Sequence, residues 1–145
     1  MCAPSERPVR DARPDDLPRL RAIQTVTLAE PWPELLAAAV DGPPVCLVSA
    51  DPEPVGYALA VVDDSTAYLA ELAVAAGHRG EGRGSTLLSS LVDRLRGDDV
   101  DRLRVTVRAV DERARSFYDR HGFESADRLP DHYEAGDGLL LVRDL

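Results

Sequence analysis

The sequence predicts a mixed α/β fold, and three observations lead to this expectation. The chain has 145 residues, of which 44% are hydrophobic and 30% charged, a balance typical of one globular domain with its own core. Alternating apolar and polar positions indicate strands, whereas apolar positions three and four residues apart indicate helices. These segments follow one another in the order β-α-α-β-β-β-α-β-α-β-β, so strands and helices are interleaved along the chain.

Acidic and proline-containing turns separate the elements of the first half of the chain. Residues 1–7 are expected to fray, and residues 9–12 are expected to form a short strand. Asp15 and Asp16 indicate the start of a helix that runs to about Ala29, because carboxylates stabilise the positive end of a helix dipole. A second helix is expected at residues 34–40, and strands are expected at residues 45–50, 55–62 and 66–74.

The second half begins with a glycine-rich loop at residues 77–84, and an amphipathic helix follows it. Gly97 is suited to end this helix. The spacing of the apolar residues in the helix places them on one face: Leu87, Leu88, Leu91, Val92 and Leu95.

A strand, a helix and two further strands are expected in the rest of the chain. Apolar residues alternate with polar ones over residues 103–107, which predicts a half-buried strand. Asp111 is a suitable N-cap for the helix that follows, and Gly122 is a suitable left-handed stop after it. Strands at residues 123–128 and 139–143 complete the expected order.

The charge of the chain excludes several classes of function. There are 26 acidic and 17 basic residues, which gives a net charge of −9, and every basic residue is Arg. Without Lys there is no P-loop lysine and no Schiff-base chemistry. The negative balance argues against nucleic acid and against an anionic membrane as partners. Two explanations of the charge are open: adaptation to salt in an organism with GC-rich codons, or a field that attracts cationic amine substrates.

Cysteine and histidine are too sparse to predict a metal site or a disulfide framework. Cys2 and Cys46 lack the spacing of metal ligands, and Cys46 lies in an apolar run that is expected in the core. The three histidines are scattered along the chain. The sequence shows neither a signal-peptide pattern nor an apolar stretch of membrane-spanning length, so a cytoplasmic protein is expected.

The most informative segment leads from a strand through the glycine-rich loop into the amphipathic helix. It reads LAVAAGHRGEGRGS over residues 72–85. Glycines let the backbone approach a ligand and direct successive N–H groups toward it, and a helix start adds N–H donors and a positive dipole end. The segment predicts a pyrophosphate site that needs no lysine, with a glycine turn that binds nothing as the alternative. Neither the dinucleotide pattern G-x-G-x-x-G nor the Walker A pattern is present.

Two motifs resemble those of the GCN5-related N-acetyltransferase (GNAT) superfamily. Arg79, Gly82 and Gly84 match the pattern (R/Q)-x-x-G-x-(G/A), at the start of the helix that receives the pyrophosphate of coenzyme A. Residues 111–123, DERARSFYDRHGF, match N-x-x-A-x-x-x-Y-x-x-x-G-F with Asp111 in place of Asn. The resemblance covers about residues 8–145. It implies the GNAT fold, a mixed and mostly antiparallel sheet with a splayed central strand pair and helices on both faces, in a single domain of residues 1–145.

Within the superfamily, the chain is most similar to the ribosomal-protein alanine acetyltransferases, which acetylate protein N-termini. Their tail has paired tyrosines followed by Asp-Ala-aliphatic-aliphatic, and the corresponding residues here are His132 and Tyr133, then DGLL at residues 137–140. The glutamate that this family uses as a base falls on Thr106. The resemblance implies acetyl-CoA as co-substrate, no metal, and an amine acceptor that is a protein N-terminus or a small molecule. Tyr133 and His132 are expected on the acceptor side, and a homodimer is left open.

By resemblance, acetyl-CoA lies in a cleft where the strand ending at Val74 splays from the strand at residues 103–107. A backbone N–H at or near Val74 would stabilise the oxyanion. Asp111 has the alternative role of a simple N-cap, since a carboxylate cannot donate a hydrogen bond as the amide of Asn does. The residues expected to bind the co-substrate are Leu72, Ala73, Val74, Arg79, Gly80, Glu81, Gly82, Arg83, Gly84, Ser85 and Asp111.

Tyr118 occupies the position that the superfamily uses for a general acid. A phenol with an ordinary pKa near 10 stays protonated at neutral pH and can protonate the departing thiolate. The alternative is a core aromatic residue on the same apolar face as Phe117.

Glu71 is the expected base that deprotonates the amine. It is the one charged residue of the strand over residues 68–74, and burial would suit it to take a proton directly or through water. A solvent-facing position is the alternative, and strand alternation places Glu71 opposite Leu72 and Val74. His132 is the next candidate for the base, with a solvated loop histidine as its alternative.

The sequence thus predicts an acetyl-CoA-dependent N-acetyltransferase. A non-catalytic acyl-CoA-binding module of the same fold is the second hypothesis: Tyr118 argues against it, whereas the glutamate missing at Thr106 argues for it. A structural domain without a ligand is the third hypothesis, and the paired motifs argue against it.

Overall fold

The computed structural model describes residues 9–28, 30–133 and 136–145. The segment at residues 1–7, which is expected to fray, and Ala29 fall outside these residues. The first helix, expected to run to about Ala29, ends at Thr27, because Leu28 after it is extended. Within the described ranges the chain contains seven strands and four helices, in the order that the sequence predicts. None of the helices in this part of the chain is both long and apolar enough to cross a membrane.

The bounds of the elements follow the predicted ones closely, and those of the second and fourth strands are identical to them. The strands are β1 (Val9–Asp11), β2 (Val45–Ala50), β3 (Pro54–Asp63), β4 (Thr66–Val74), β5 (Arg102–Arg108), β6 (Glu124–Tyr133) and β7 (Gly136–Asp144). The helices are α1 (Leu17–Thr27), α2 (Pro33–Ala39), α3 (Arg83–Gly97) and α4 (Glu112–Arg120).

The strands form one sheet in the order β1-β2-β3-β4-β5-β7-β6. The pairs β1–β2, β2–β3, β5–β7 and β6–β7 are antiparallel, whereas β4 and β5 are parallel. The parallel pairing comprises four residue pairs, from Thr66 with Arg102 to Leu69 with Val105, although β4 itself continues to Val74. A mostly antiparallel sheet whose central pairing is interrupted is the predicted fold class, which is confirmed.

The described residues divide into two compact units, the first of which comprises those up to Val61 together with Ala70–Arg94. Two helices and two strands of this unit, α1, α2, β2 and β3, bury apolar side chains in a common core. Burial of each Leu, Ile or Val side chain among them contributes about 1.5–3 kcal/mol relative to exposure. The largest residues at 0% exposure in this core are Leu20, Leu36, Val48, Tyr57 and Leu59.

Asp16 is the last residue of a short 3-10 turn at Pro14–Asp16 and stands directly before α1. Its carboxylate accepts the backbone N–H of Arg13 at 2.8 Å and two hydrogen bonds from the Arg10 guanidinium at 2.7 and 3.0 Å. The bonds from Arg10 are the main reason that the pKa of Asp16 lies below its ordinary value. The predicted carboxylate is therefore at the helix start, and through Arg10 it also holds β1.

The apolar face predicted for α3 is present. Its five predicted residues are each at most 2% exposed. The helix does not end on a left-handed Gly97, however: Gly97 is its last residue, and Asp99 adopts the left-handed conformation at φ 60°. The N–H of Val100 then donates to the carbonyl of Leu95 at 3.0 Å. Asp tolerates this conformation, so the helix closes with a Schellman-type turn two residues later than expected.

The second unit comprises Val62–Leu69 and Leu95–Leu145. In this unit β5 has the predicted alternation, since its apolar residues are buried while Arg102 and Arg104 are exposed. This pattern confirms a strand with one face in the core and the other in solvent.

Both predicted ends of α4 are also confirmed. The Asp111 side chain accepts the backbone N–H of Ala114 at 3.0 Å, which is an N-cap hydrogen bond. Gly122 follows the helix at φ 85°, a conformation that glycine adopts without a Cβ penalty.

The last two strands are longer than predicted. β6 continues beyond residue 128 to Tyr133 and β7 begins at Gly136 instead of residue 139. β6 lies at the edge of the sheet and is exposed over nearly its whole length, so it shows no apolar alternation from which its end could be predicted. Pro130 lies within an irregular stretch between Leu129 and Tyr133, where a missing N–H disturbs no regular pairing.

Gly56 of β3 provides a test of packing in the first unit. An added Cβ would lie 2.9 Å from the carbonyl oxygen of Ala73 and 3.3 Å from Val74 Cγ2. We expect Gly56→Ala to lower the free energy of unfolding by about 1–3 kcal/mol, because the backbone must shift to admit the methyl group. Urea unfolding measures this change. Gly97→Ala is the matched control, since no atom lies within 4 Å of its added Cβ, and an equal loss in both variants would contradict the packing explanation.

Candidate functional site

β4 has two different faces, and predicted site residues lie on both. Glu71 is 6% exposed and lies on the buried face with Leu69 and Ala73. Leu72 and Val74 lie on the other face, which is half-buried. Alternation therefore separates Glu71 from Leu72 and Val74, as the sequence predicts. The burial of Glu71 excludes the solvent-facing alternative.

Hydrogen-bond donors of the first unit surround the Glu71 carboxylate. Its Oε1 accepts from the Tyr57 hydroxyl at 2.8 Å and from Gln24 Nε2 at 2.9 Å. Its Oε2 accepts from the backbone N–H of Trp32 at 2.7 Å and from Gln24 Nε2 at 3.2 Å. A buried carboxylate needs such partners because an unpaired buried charge is costly. Glu71 thereby connects β4 to α1, to the residue before α2 and to β3.

Neither Gln24 nor Tyr57 is predicted from the sequence as part of this cluster. Gln24 lies four residues after Leu20 on the buried face of α1, and a polar residue at an apolar position of a helix is the signal that would have indicated it. Burial, and then the charge of Glu71, raise the pKa of Tyr57. The Tyr57 hydroxyl therefore keeps its proton and remains a donor to Glu71.

The glycine-rich loop has the backbone geometry of a ligand-binding turn. A 3-10 turn at Ala76–His78 leads to Gly80 and Gly82, whose φ angles are 78° and 79°, and α3 begins at Arg83. L side chains rarely adopt these angles. A Cβ added to either glycine would meet no atom within 4 Å. The loop therefore requires glycine for its backbone conformation, and the space beside both glycines is open.

The start of α3 offers backbone donors next to these glycines. Thr86 donates to the carbonyl of Gly82 through its N–H at 3.0 Å and through its hydroxyl at 2.9 Å. The N–H groups of Arg83, Gly84 and Ser85 precede this intrahelical bond, at the positive end of the helix dipole. Backbone N–H groups in this position favour an anionic ligand.

Both arginines of the loop direct their guanidinium groups to protein acceptors. Arg79 Nε donates to the carbonyl of Val74 at 3.1 Å. Arg83 is 2% exposed and donates to three acceptors of the first unit. Their side chains thus shape the loop. The Arg79 backbone N–H already donates to the carbonyl of Ala76, whereas Arg83, whose side chain is buried, offers a ligand its backbone N–H.

Tyr118 packs among aromatic rings of the second unit and is 7% exposed. Its ring meets Phe117 and Phe123 edge to face, with centroids 5.1 and 5.2 Å away. Burial is the largest cause that raises the pKa of Tyr118 above its ordinary value of 10.0. Nearby ionisable groups raise it further: Tyr133, Tyr68 and Asp111. The ring thus packs in the core, which agrees with the alternative interpretation of Tyr118 as a core aromatic residue. Its phenol also keeps the proton that a general acid needs.

His132 and Tyr133 lie together at the end of β6. Their rings meet edge to face at 4.8 Å, and the Tyr133 hydroxyl donates to the carbonyl of Thr106 at 3.1 Å. His132 is exposed and packs closely on Gly138, where an added Cβ would lie 3.2 Å from the imidazole Cδ2. Thr106, which stands where the related family has its glutamate, is therefore held through its backbone carbonyl by Tyr133.

The predicted site residues divide between the two units. The first unit contains Glu71, residues 72–74 and the glycine-rich loop, whereas the second contains Asp111, Tyr118, His132 and Tyr133. The N-cap role of Asp111 is confirmed, and its contact with a co-substrate stays a prediction. Within residues 9–28, 30–133 and 136–145, no group of three or more His, Cys, Asp or Glu residues could hold a metal ion.

Comparison with known proteins identifies a family. Residues 9–123 match the model described as "Acetyltransferase (GNAT) family". No curated protein sequence matches the chain.

Several solved structures share the fold. The ribosomal-protein-S18-alanine N-acetyltransferase from Escherichia coli is 22% identical with a TM-score of 0.85, over 96% of this chain and 94% of that one. NAA60 from Arabidopsis thaliana, in complex with acetyl-CoA, is 22% identical with a TM-score of 0.86, over 97% and 99%. Naa50 from Arabidopsis thaliana, in complex with the bisubstrate analogue CoA-Ac-MVNAL, is 22% identical with a TM-score of 0.84, over 95% and 98%. At these identities the likeness establishes the fold.

Proposed function

The chain belongs to the acetyltransferase (GNAT) family and is therefore an acetyl-CoA-dependent N-acetyltransferase; from this premise, we propose that residues 1–145 act as one domain whose acceptor is the free amine of a peptide N-terminus. Small-molecule amines are the second candidate. The family model supports one domain because it runs through both compact units.

The glycine-rich loop is the observation that carries the proposed donor site. Two glycines at positive φ with open space beside them precede the N-terminus of the 15-residue helix α3. Backbone N–H groups at such a turn bind pyrophosphate oxygens without a lysine. The residues present thus fit the pyrophosphate of acetyl-CoA, with Gly80, Gly82, Arg83, Gly84 and Ser85 as donors through their backbones.

We further propose that the N–H of Val74 stabilises the oxyanion. The neighbouring N–H of Ala75 is already bonded to the carbonyl of Val55 at 2.8 Å. Successive N–H groups of a strand point in opposite directions, so that of Val74 points away from β3. Arg79 binds the carbonyl of the same residue, which holds the following peptide unit in place at the end of β4. A fixed donor stabilises developing negative charge without reorganisation.

Acetyl-CoA supplies the acetyl group as a thioester, and the amine nitrogen forms a bond to the carbonyl carbon as the carbon–sulfur bond breaks. We propose that the Tyr118 hydroxyl gives its proton to the departing sulfur. Its raised pKa means that the hydroxyl is protonated before every turnover at neutral pH. A non-catalytic acyl-CoA-binding module would not need this group, so Tyr118 supports the enzyme over the module.

A peptide N-terminus is the preferred acceptor for two reasons. Naa50, which shares the fold, binds an analogue that joins coenzyme A to a peptide. His132 and Tyr133 lie at the position of the paired tyrosines of the ribosomal-protein alanine acetyltransferases, where an acceptor-side role is expected. The net charge of −9 attracts any amine that arrives as a cation, so it supports both candidate acceptors. We place this reaction in the cytoplasm, where a free buried thiol such as Cys46 stays reduced.

Matched acceptors test the choice of substrate. Each peptide is assayed with a free N-terminus and with a blocked one, beside free amino acids and polyamines, and product is identified by mass. We expect acetylation of free peptide N-termini and none of the blocked peptides. Turnover of polyamines or amino acids with peptides untouched would contradict the peptide assignment and favour the small-amine candidate.

Glu71 is the proposed base, and its contacts support a second role. Both carboxylate oxygens already accept hydrogen bonds, so a proton from the amine would have to displace a donor or pass through Tyr57. The same contacts make Glu71 an anchor for the backbone at Trp32. The two roles differ in their pH dependence.

The variant Glu71→Gln separates the base role from the anchor role. A base predicts that the fall of kcat/KM toward acid pH disappears in the variant or that the rate drops strongly. An anchor predicts an unchanged pH profile and a lower free energy of unfolding, because the amide cannot accept from all three donors as the carboxylate does. Gln24→Leu is the control that removes one donor and keeps the carboxylate. An identical profile in wild type and Glu71→Gln would exclude the base role.

A further inference from the structure

Arg83 is a buried cation at the first residue of α3. Its Nε donates to Glu81 Oε1 at 2.9 Å, its Nη1 to Ser49 Oγ at 3.0 Å and its Nη2 to Asp51 Oδ2 at 2.7 Å. Ser49 belongs to β2 and Asp51 to the turn after it, whereas Glu81 belongs to the glycine-rich loop. One guanidinium group thus joins the loop to the neighbouring strand and turn.

Local physics alone does not favour a cation at this position. A positive side chain at a helix N-terminus opposes the helix dipole, and burial of a charged guanidinium group is costly unless it is fully paired. Each of the three guanidinium nitrogens of Arg83 has an acceptor, because the planar group reaches three side chains on separate segments. A buried apolar side chain would pack here without these requirements, so the charge calls for an explanation beyond packing.

The charge balance around Arg83 supplies an explanation for the buried charge. Asp51 and Glu81 carry one negative charge each and Arg83 carries one positive charge, so the three sum to −1. His78 Nδ1 lies 3.6 Å from Glu81 Oε1, outside hydrogen-bond distance. The loop whose N–H groups would bind an anion thus also contains a negative side chain, Glu81. A carboxylate that is not neutralised by a cation would repel a pyrophosphate group beside it.

We propose that Arg83 is a positioning residue for acetyl-CoA. Its guanidinium group holds the Glu81 carboxylate in an ion pair, and the glycine-rich loop can therefore bind the pyrophosphate. The inference rests on the proposed donor site. In this arrangement the guanidinium group acts on the co-substrate through Glu81 and through the loop, while only the backbone of Arg83 reaches the ligand. Its effect is on donor affinity, since Arg83 touches neither the acceptor nor the reacting carbon.

The test is calorimetric titration of acetyl-CoA into the full chain and four variants. Arg83→Leu should raise the Kd by roughly tenfold to a hundredfold, because it removes the positive charge that is paired with Glu81 near the pyrophosphate. Arg83→Leu combined with Glu81→Gln should recover a large part of that loss. Glu81→Gln alone should tighten binding by roughly threefold or more, since Arg83 stays paired with Asp51. Arg102→Leu is the matched control: it breaks an exposed ion pair with Asp144, and its Kd should equal that of the wild type.

Ionic strength separates electrostatics from shape. Salt screens the repulsion between Glu81 and the pyrophosphate, so the ratio of Kd values between Arg83→Leu and wild type should fall as salt rises. A purely structural tie predicts a constant ratio, no recovery in the double variant and weaker binding in Glu81→Gln; these results would overturn the proposal. Glu81 is partly exposed, so Glu81→Gln remains decisive even if Arg83→Leu fails to fold. Absence of binding in the wild type would instead refute the proposed donor site.

Discussion

Replacing Tyr118 by Phe should lower kcat by roughly 10²–10⁴ while the Kd for acetyl-CoA changes little. The variant keeps the ring that packs edge to face with Phe117 and Phe123 and removes only the hydroxyl. The departing sulfur would then leave as a thiolate without a proton donor. Pre-steady-state and steady-state kinetics with a saturating acceptor measure kcat, and titration of acetyl-CoA measures donor affinity.

The pH profile of the wild type provides an independent check on Tyr118. A general acid is active below its pKa and inactive above it. Because the pKa of Tyr118 is raised by burial and by its neighbours, its ionisation should cause no loss of kcat up to about pH 10. Tyr133→Phe is the matched hydroxyl deletion: it removes the bond to the Thr106 carbonyl, so we expect a change in the KM of the acceptor. Full activity of Tyr118→Phe would assign this residue to packing alone.

Gly82→Asp should abolish measurable binding of acetyl-CoA, with a Kd at least roughly a hundredfold above that of the wild type. Residue 82 has a φ of 79°, at which most L side chains are strained by about 1–2 kcal/mol and Asp by less. The added carboxylate would also enter the open space beside the glycine, where the pyrophosphate is expected. Calorimetric titration measures the Kd, and circular dichroism establishes that the variant is folded.

Two further variants separate strain from charge at the loop. Gly82→Ala has the strain of a positive φ without the carboxylate, so its loss of affinity should be much smaller than that of Gly82→Asp. Gly77→Ala introduces neither strain nor contact, because residue 77 has no positive φ and no atom lies within 4 Å of its added Cβ. If folded Gly82→Asp binds acetyl-CoA as tightly as the wild type, the pyrophosphate does not bind at this loop.

Features with a strong local cause were predictable from the sequence. The alternation of β5 and the apolar stripe of α3 follow from the periodicity of the two structures. The positive φ angles of Gly80 and Gly82 follow from glycine spacing between a strand and a helix, and the cap at Asp111 follows from its position before an amphipathic segment. In each case a few neighbouring residues determine the conformation.

Features that depend on contacts distant in sequence were not predictable. Gln24 and Glu71 are 47 residues apart, and Arg83 and Asp51 are 32 apart; no local pattern relates the members of either pair. The extension of β6 to Tyr133 was not predictable for another reason: the strand is exposed and has no apolar alternation, and its end is marked only by the pairing of Tyr133 with Gly136 of β7. One difference is local: the left-handed residue after α3 is Asp99 and not Gly97, and the N–H of Val100 closes the turn on the carbonyl of Leu95.

The transfer of acetyl from acetyl-CoA to a peptide amine is tested most directly by following both products of one reaction. The chain is incubated with acetyl-CoA carrying an isotopic label in the acetyl group and with a peptide that has a free N-terminus. Free thiol is measured by colour development and labelled peptide by mass spectrometry. We expect one labelled N-terminal acetyl group for each thiol released, at a rate that falls strongly with Tyr118→Phe. Thiol release without labelled peptide, or no release although acetyl-CoA binds, would contradict acetyl transfer to this acceptor.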